Sequence, residues 1–231
     1  MSLRTNLASV FSLLLGIAFV VAPEWLAASD AARFADEGAL RQALSGAYAE
    51  YRLSGQRAFT PALHDIVGYW ARYHLVKAVI AVALLLVLAV LVRWAGNTAA
   101  KVLASVLALG ALALAAANIQ GAAAPFAALL PMLPGAELAA AERQSGAGER
   151  APALAVMIDD FARFHAVLAV LAAVVALCFL GAGLALFARR ALLLGGIGIV
   201  LALGIGTVAV ANATTARDPE PAFAAFLEGS W

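Results

Sequence analysis

Pro61-Ala-Leu-His-Asp-Ile-Val-Gly-Tyr-Trp-Ala-Arg-Tyr-His74 decides the fold, because the chain writes it twice. The second copy, 91 positions on, is Pro152-Ala-Leu-Ala-Val-Met-Ile-Asp-Asp-Phe-Ala-Arg-Phe-His165. Pro, Ala, Leu, Ala, Arg and His coincide, and Trp70/Phe161, Tyr73/Phe164, Ile66/Met157 and Val67/Ile158 are conservative exchanges. Each copy runs into an apolar segment, and a second apolar segment then closes on Ala-Asn, at Asn118 and again at Asn212. Pro125-Phe-Ala-Ala-Leu-Leu130 and Ala222-Phe-Ala-Ala-Phe-Leu227 come next. The expected unit is two membrane spans, used twice.

Composition agrees with a membrane protein. The 231 residues are 65% hydrophobic and 13% charged, with a mean hydropathy of +0.94, whereas soluble domains carry about 25% charged residues. A single cysteine, Cys178, excludes an internal disulfide and reads as a small packing residue.

Five apolar runs are long enough to cross a bilayer, which takes about 20 residues. They are Leu7–Trp25, His74–Val92, Val102–Gln120, His165–Ala188 and Ala191–Ala213. The first also has the features of a secretory signal peptide, with Ala27, Ala28 and Ser29 near a candidate cleavage point. Between the first two runs, Phe34, Leu40, Leu44, Tyr48 and Tyr51 recur at helical spacing, with Arg33, Asp36, Arg41 and Glu50 at the other positions and Ser54-Gly55 at the end. This predicts an amphipathic helix covering one end of the bundle. Ala136–Arg143 reads as a further helix, Gly146 and Gly148 as a hinge, and the residues after Ala213 as a polar tail.

Charge sets the orientation. Arg4, Arg93, Lys101, Arg189 and Arg190 gather on one side without an acidic residue, and all 14 Asp and Glu fall on the other. Short basic loops stay cytoplasmic, so the N-terminus is expected inside and the long segments and C-terminus outside, in a bacterial cytoplasmic membrane. Small residues at four-residue spacing, Gly198, Ala202 and Gly206, with Ala104/Ala108 and Ala113/Ala117, are expected at helix contacts. The fold class is an all-α integral membrane protein of five transmembrane helices. A parallel duplicated two-helix repeat forms a four-helix core, with an N-terminal helix beside it. The expected parts are residues 1–26, 27–130 and 131–231.

This topology brings Arg72, His74 and Asn118 to the outer end of one half, and Arg163, His165 and Asn212 to that of the other. Three readings are open for these tentative ligand-binding residues. In the structural one, Arg and the aromatics Trp70, Tyr73, Phe161 and Phe164 anchor helices at the interface. The histidines then bond to neighbouring helix ends, each Asn caps its helix, and Lys77 extends to the headgroups. In the second, His74 and His165 hold a haem, or a divalent ion with Asp159 or Asp160. In the third, they meet the polar head of a lipid, quinone or other apolar molecule. Asp160 and the His64-Asp65 pair read as helix-start charges. Gly195-Gly-Ile-Gly198 has no preceding strand and is no phosphate loop. No Cys/His metal spacing, Ser/His/Asp order or basic nucleic-acid surface occurs.

Pro125-Phe-Ala-Ala-Leu-Leu-Pro131 and Phe161-Ala-Arg-Phe-His165 resemble the small bacterial membrane proteins grouped with the anthrone oxygenases, over Ala124–Leu186. The resemblance implies a cofactor-free oxygenase acting on an aromatic substrate, with Arg163 and His165 near it. That family's pattern continues after the His with a basic residue. Lys77 supplies it in the first copy, Leu168 replaces it in the second, and a duplication is not part of the pattern.

The leading expectation is a non-enzymatic accessory subunit, or a binder of an apolar ligand such as a lipid or quinone at the outer face, with no cofactor and no metal. Its partners would be the bilayer, a membrane protein or second copy, and an apolar small molecule, with no nucleic acid. The alternative is a redox or oxygenase-type enzyme using the paired Arg and His residues, with or without haem.

Overall fold

The computed structural model describes residues 3–138 and 151–229. Gly146, Gly148 and most of the helix expected at Ala136–Arg143 lie outside the described residues. Among those described there is no strand, and the chain folds as α1 (Leu3–Ala27), α2 (Glu37–Ser54), α3 (Pro61–Trp94), α4 (Thr98–Ala123), α5 (Pro125–Leu129), a 3-10 turn (Leu130–Met132), α6 (Pro152–Ala188), α7 (Leu192–Arg217) and α8 (Glu220–Glu228). Helices α1, α3, α4, α6 and α7 are long and apolar enough to cross a membrane. This is an all-α, multi-pass membrane protein. It divides into two compact units, Met1–Leu133 and Pro134–Trp231.

Two spans begin well before their histidines. Proline at the first helical position has its φ already set and lacks an N–H that would go unsatisfied anyway, so Pro61 and Pro152 start α3 and α6. Hydropathy marks only the part of a helix that lipid covers, and misses a polar continuation such as Trp70-Ala-Arg-Tyr73.

In the first unit α1 and α4 both pack on α3. Arg4 and Trp94 line one groove, and Arg72 bonds to Ala27, so α1 and α3 are antiparallel. Leu88, Leu91, Ala104 and Ala111 form the core near the α3–α4 turn. The buried alanines of α4 are Ala104, Ala111 and Ala115; Ala113 and Ala117 face outward, contrary to expectation.

Helix α2 begins only at Glu37. Asp36 is its N-cap and accepts a 2.8 Å bond from the Ala39 amide, so Phe34 and Arg33 precede the helix and Asp36 is no part of its polar face. Gly55 ends it at φ 64°, where a side chain would be strained. Leu40, Leu44, Tyr48 and Tyr51 are buried, and the rings of Tyr48, Tyr51, Phe59 and Phe126 pack at centroid distances of 5.0–6.5 Å. The Tyr51 hydroxyl donates to the Arg57 carbonyl at 3.1 Å. Burial pushes this phenol above its ordinary value, with the Arg57 charge pulling partly back.

The second unit is the α6–α7 hairpin, turned at Arg189-Arg190, with Arg190 at φ 63°. Its helices touch backbone to backbone. A Cβ on Gly183 would stand 2.9 Å from the Ile199 nitrogen and 3.0 Å from the Gly195 oxygen. Gly198 and Ala202 lie in this contact, whereas Gly206 faces open space. Cys178 is exposed and not packed. The expected polar tail contains α8, whose Phe223 and Phe226 rings lie 5.2 and 6.1 Å from that of Phe161. Aromatic residues at i and i+3 share a helix face, which makes this short segment amphipathic.

Candidate functional site

Two residues meet across an antiparallel hairpin when they lie equally far from its turn. His74 is 19 residues before Arg93 and Asn118 is 20 after Thr98, about 29–30 Å along each helix at 1.5 Å per residue. The His74 Nδ1 and Asn118 Oδ1 atoms are 2.9 Å apart. In the second unit His165 Nδ1 and Asn212 Oδ1 are 2.7 Å apart. Helix α6 is three residues longer than α3, which is nearly one turn and keeps the histidine on the same face.

The asparagines fix the histidine tautomer. Asn118 Nδ2 donates to the Leu114 carbonyl at 2.7 Å, and Asn212 Nδ2 to that of Val208 at 2.9 Å. A carbonyl only accepts, so each amide must turn its oxygen to the ring, and Nδ1 of each histidine must carry the proton. In the neutral ring Nε2 then holds a free lone pair. Neither asparagine caps a helix, contrary to expectation: α4 runs on to Ala123 and α7 to Arg217. The helix stops before Pro125, which forbids continuation.

Around His74 the packing is tight. The Trp70 ring meets it edge-on, at 4.8 Å and 88°, and stacks on Tyr73 at 5.1 Å. A Cβ on Gly121 would lie 2.8 Å from the imidazole, so only glycine leaves room there. His74 Nε2 and Trp70 Nε1 are both buried without a hydrogen-bond partner. One is an acceptor and the other a donor, on adjacent rings. The second unit differs. Phe161 stands against His165 at 4.5 Å and offers no N–H, and Thr215 occupies the position matching Gly121, three residues after the asparagine.

The arginines do not join the histidines. Arg72 donates to the Ala27 carbonyl at 3.0 Å and to Ser29 Oγ at 3.2 Å, which places a cation on the C-terminal end of α1. Arg163 pairs with buried Asp160 at 3.2 Å. Asp160 is the ninth residue of α6, so its partner is this guanidinium and not the helix-start dipole expected for it. Two equivalent arginines thus serve different local ends.

Sequence reasoning missed Gly121, which only the close ring contact reveals. It also gave Lys77 a freer role than the structure does. Lys77 Nζ donates to the Tyr73 hydroxyl at 3.1 Å and lies 4.8 Å from the Phe19 and Tyr73 ring centres, a cation–π arrangement. Among the described residues no group of three His, Cys, Asp or Glu is placed to hold a metal ion. No family model, no curated protein and no solved structure matches this chain.

Proposed function

We propose that this protein binds an apolar molecule with a polar head, a lipid or quinone, at the outer face of a bacterial cytoplasmic membrane, and does not transform it. In this reading the chain is two copies of a two-span unit, with the basic turns and the N-terminus inside. The charge asymmetry supports that orientation, as does the recurrence of one His–Asn bond in both units.

The observation that carries the binding role is the pair of buried, partnerless atoms His74 Nε2 and Trp70 Nε1. A buried polar atom left unsatisfied costs about 1–3 kcal/mol. A ligand hydroxyl can donate to one and accept from the other, removing both penalties. The arginines, held elsewhere, give no support to an enzyme built on paired Arg and His.

Trp70→Phe, which copies Phe161 of the second unit, tests this. Protein released in mild detergent is extracted with solvent and the extract weighed by mass spectrometry. The wild type should carry a stoichiometric apolar molecule, and the variant should lose most of it with its thermal midpoint nearly unchanged. Equal contents in both proteins would contradict the binding role.

A further inference from the structure

An apolar groove of about 980 Å³ runs along the first unit between α1 and α4, with α3 as its floor. Its rims, among them Leu13, Val20 and Leu107, are exposed, while Leu88, Leu91 and Ala111 beneath are buried. The few polar side chains there are already satisfied: Ser9 Oγ donates to the Thr5 carbonyl and Ser12 Oγ to that of Ala8. On α1 the lining runs from Thr5 to Val21, about 24 Å at 1.5 Å per residue, a length that suits an extended acyl chain.

A cation lies beyond one end of the groove, outside its lining. Lys77, Ala81, Leu84, Leu88 and Leu91 follow alternating steps of four and three and form one stripe of α3. Its last three members floor the groove. Lys77 heads the stripe on the histidine side, and its ammonium reaches back one turn to Tyr73. No carboxylate pairs with it among the described residues, and the Tyr73 hydroxyl accepts one of its three N–H donors. An ionisable group at this depth is a functional candidate by its cost alone. Phe19, whose ring lies against Nζ, directly precedes Val20 and Val21 at the groove's end on α1. In the second copy the matching residue is Leu168.

We propose that the groove holds the acyl chains of an anionic phospholipid, with its phosphate on Lys77. This names the ligand class for the outer-face binding proposed above and rests on it. The groove is open along its side, so a bilayer lipid enters without leaving the membrane, and the ammonium beyond its end complements a phosphodiester. The bond from Lys77 to the phosphate would be charge-assisted, and its loss should weaken binding about tenfold or more.

The test is native mass spectrometry of the full chain from phosphatidylcholine vesicles carrying a minor fraction of phosphatidylglycerol. Wild type and Lys77→Arg should retain phosphatidylglycerol in preference to phosphatidylcholine. Lys77→Leu, which copies Leu168, should lose that preference about tenfold or more. Gly110→Leu puts a side chain into open groove space, since nothing lies within 4 Å of a Cβ there, and should expel both lipids while the protein stays folded by circular dichroism. Undiminished preference in Lys77→Leu, or full lipid occupancy in Gly110→Leu, would overturn the proposal. So would a free fatty acid as the retained species. A neutral adduct that survives Lys77→Leu but is lost in Trp70→Phe would overturn the phospholipid alone and leave outer-face binding standing. Bare wild-type protein would overturn both.

Discussion

Gly183→Val is expected to destabilise the α6–α7 hairpin by about 3 kcal/mol, the upper end of the usual cost of overpacking. The added Cβ would meet Ile199 N at 2.9 Å, Gly195 O at 3.0 Å and Gly198 C at 3.1 Å. All three are backbone atoms, so no side chain can swing aside and the helices must separate. Valine adds two further carbons in a contact where none fits. Gly196→Ala is the control, on the facing helix with nothing within 4 Å of its Cβ. It should be neutral or stabilising by up to about 1 kcal/mol, because alanine is the better helix former. Denaturation in mixed micelles, followed by circular dichroism, reads both. Equal behaviour of the two variants would mean that this helix contact is not as close as described.

Gly121→Ala should have the next largest effect, about 2 kcal/mol. Here the new methyl meets the body of the His74 ring, at 2.8–2.9 Å from Cγ, Nδ1 and Cδ2. The ring must leave, which breaks its bond to Asn118 and strands a buried Nδ1 donor. Direct measurements of hydrogen bonds within membranes average about 0.6 kcal/mol and reach about 1.7, so overpacking supplies the larger share. Thr215→Ala in the second unit, at the matching position, deletes side-chain atoms and should cost under about 1 kcal/mol. The same denaturation assay compares the pair.

Much of this was legible in the sequence. The five apolar runs and the basic turns follow from composition alone. The meeting of His74 with Asn118 follows from equal distances to their turn, whereas His165 lies three residues farther from its turn than Asn212 does. Other features depend on geometry that hydropathy does not encode. The N-terminal extensions of α3 and α6 were hidden because Trp70-Ala-Arg-Tyr73 is too polar to look like a span, although Pro61 and Pro152 marked the true starts. Asn118 looked like a cap because the apolar run ended there, but backbone hydrogen bonding continues until Pro125 interrupts it. Arg72 and Arg163 hold matching positions in the repeat, but Asp160 stands three residues before Arg163 where the first copy has Tyr69. The Asp160 pair is an i, i+3 contact that helical spacing offers, whereas the Arg72 partner lies 45 residues away at the end of α1, which no periodicity foretells. The tautomer of His74 needed the direction of the Asn118 amide, which the Leu114 carbonyl sets.

That tautomer is the centre of the account, since it leaves Nε2 as the buried, unpartnered acceptor on which the proposed binding role rests. Nitrogen-15 NMR of histidine-labelled protein at neutral pH tests it most directly, with His74→Phe assigning the resonances. The account predicts that His74 carries its proton on Nδ1 and has an unprotonated Nε2 in the ligand-free protein. A His74 protonated on Nε2, with a bare Nδ1, would contradict it.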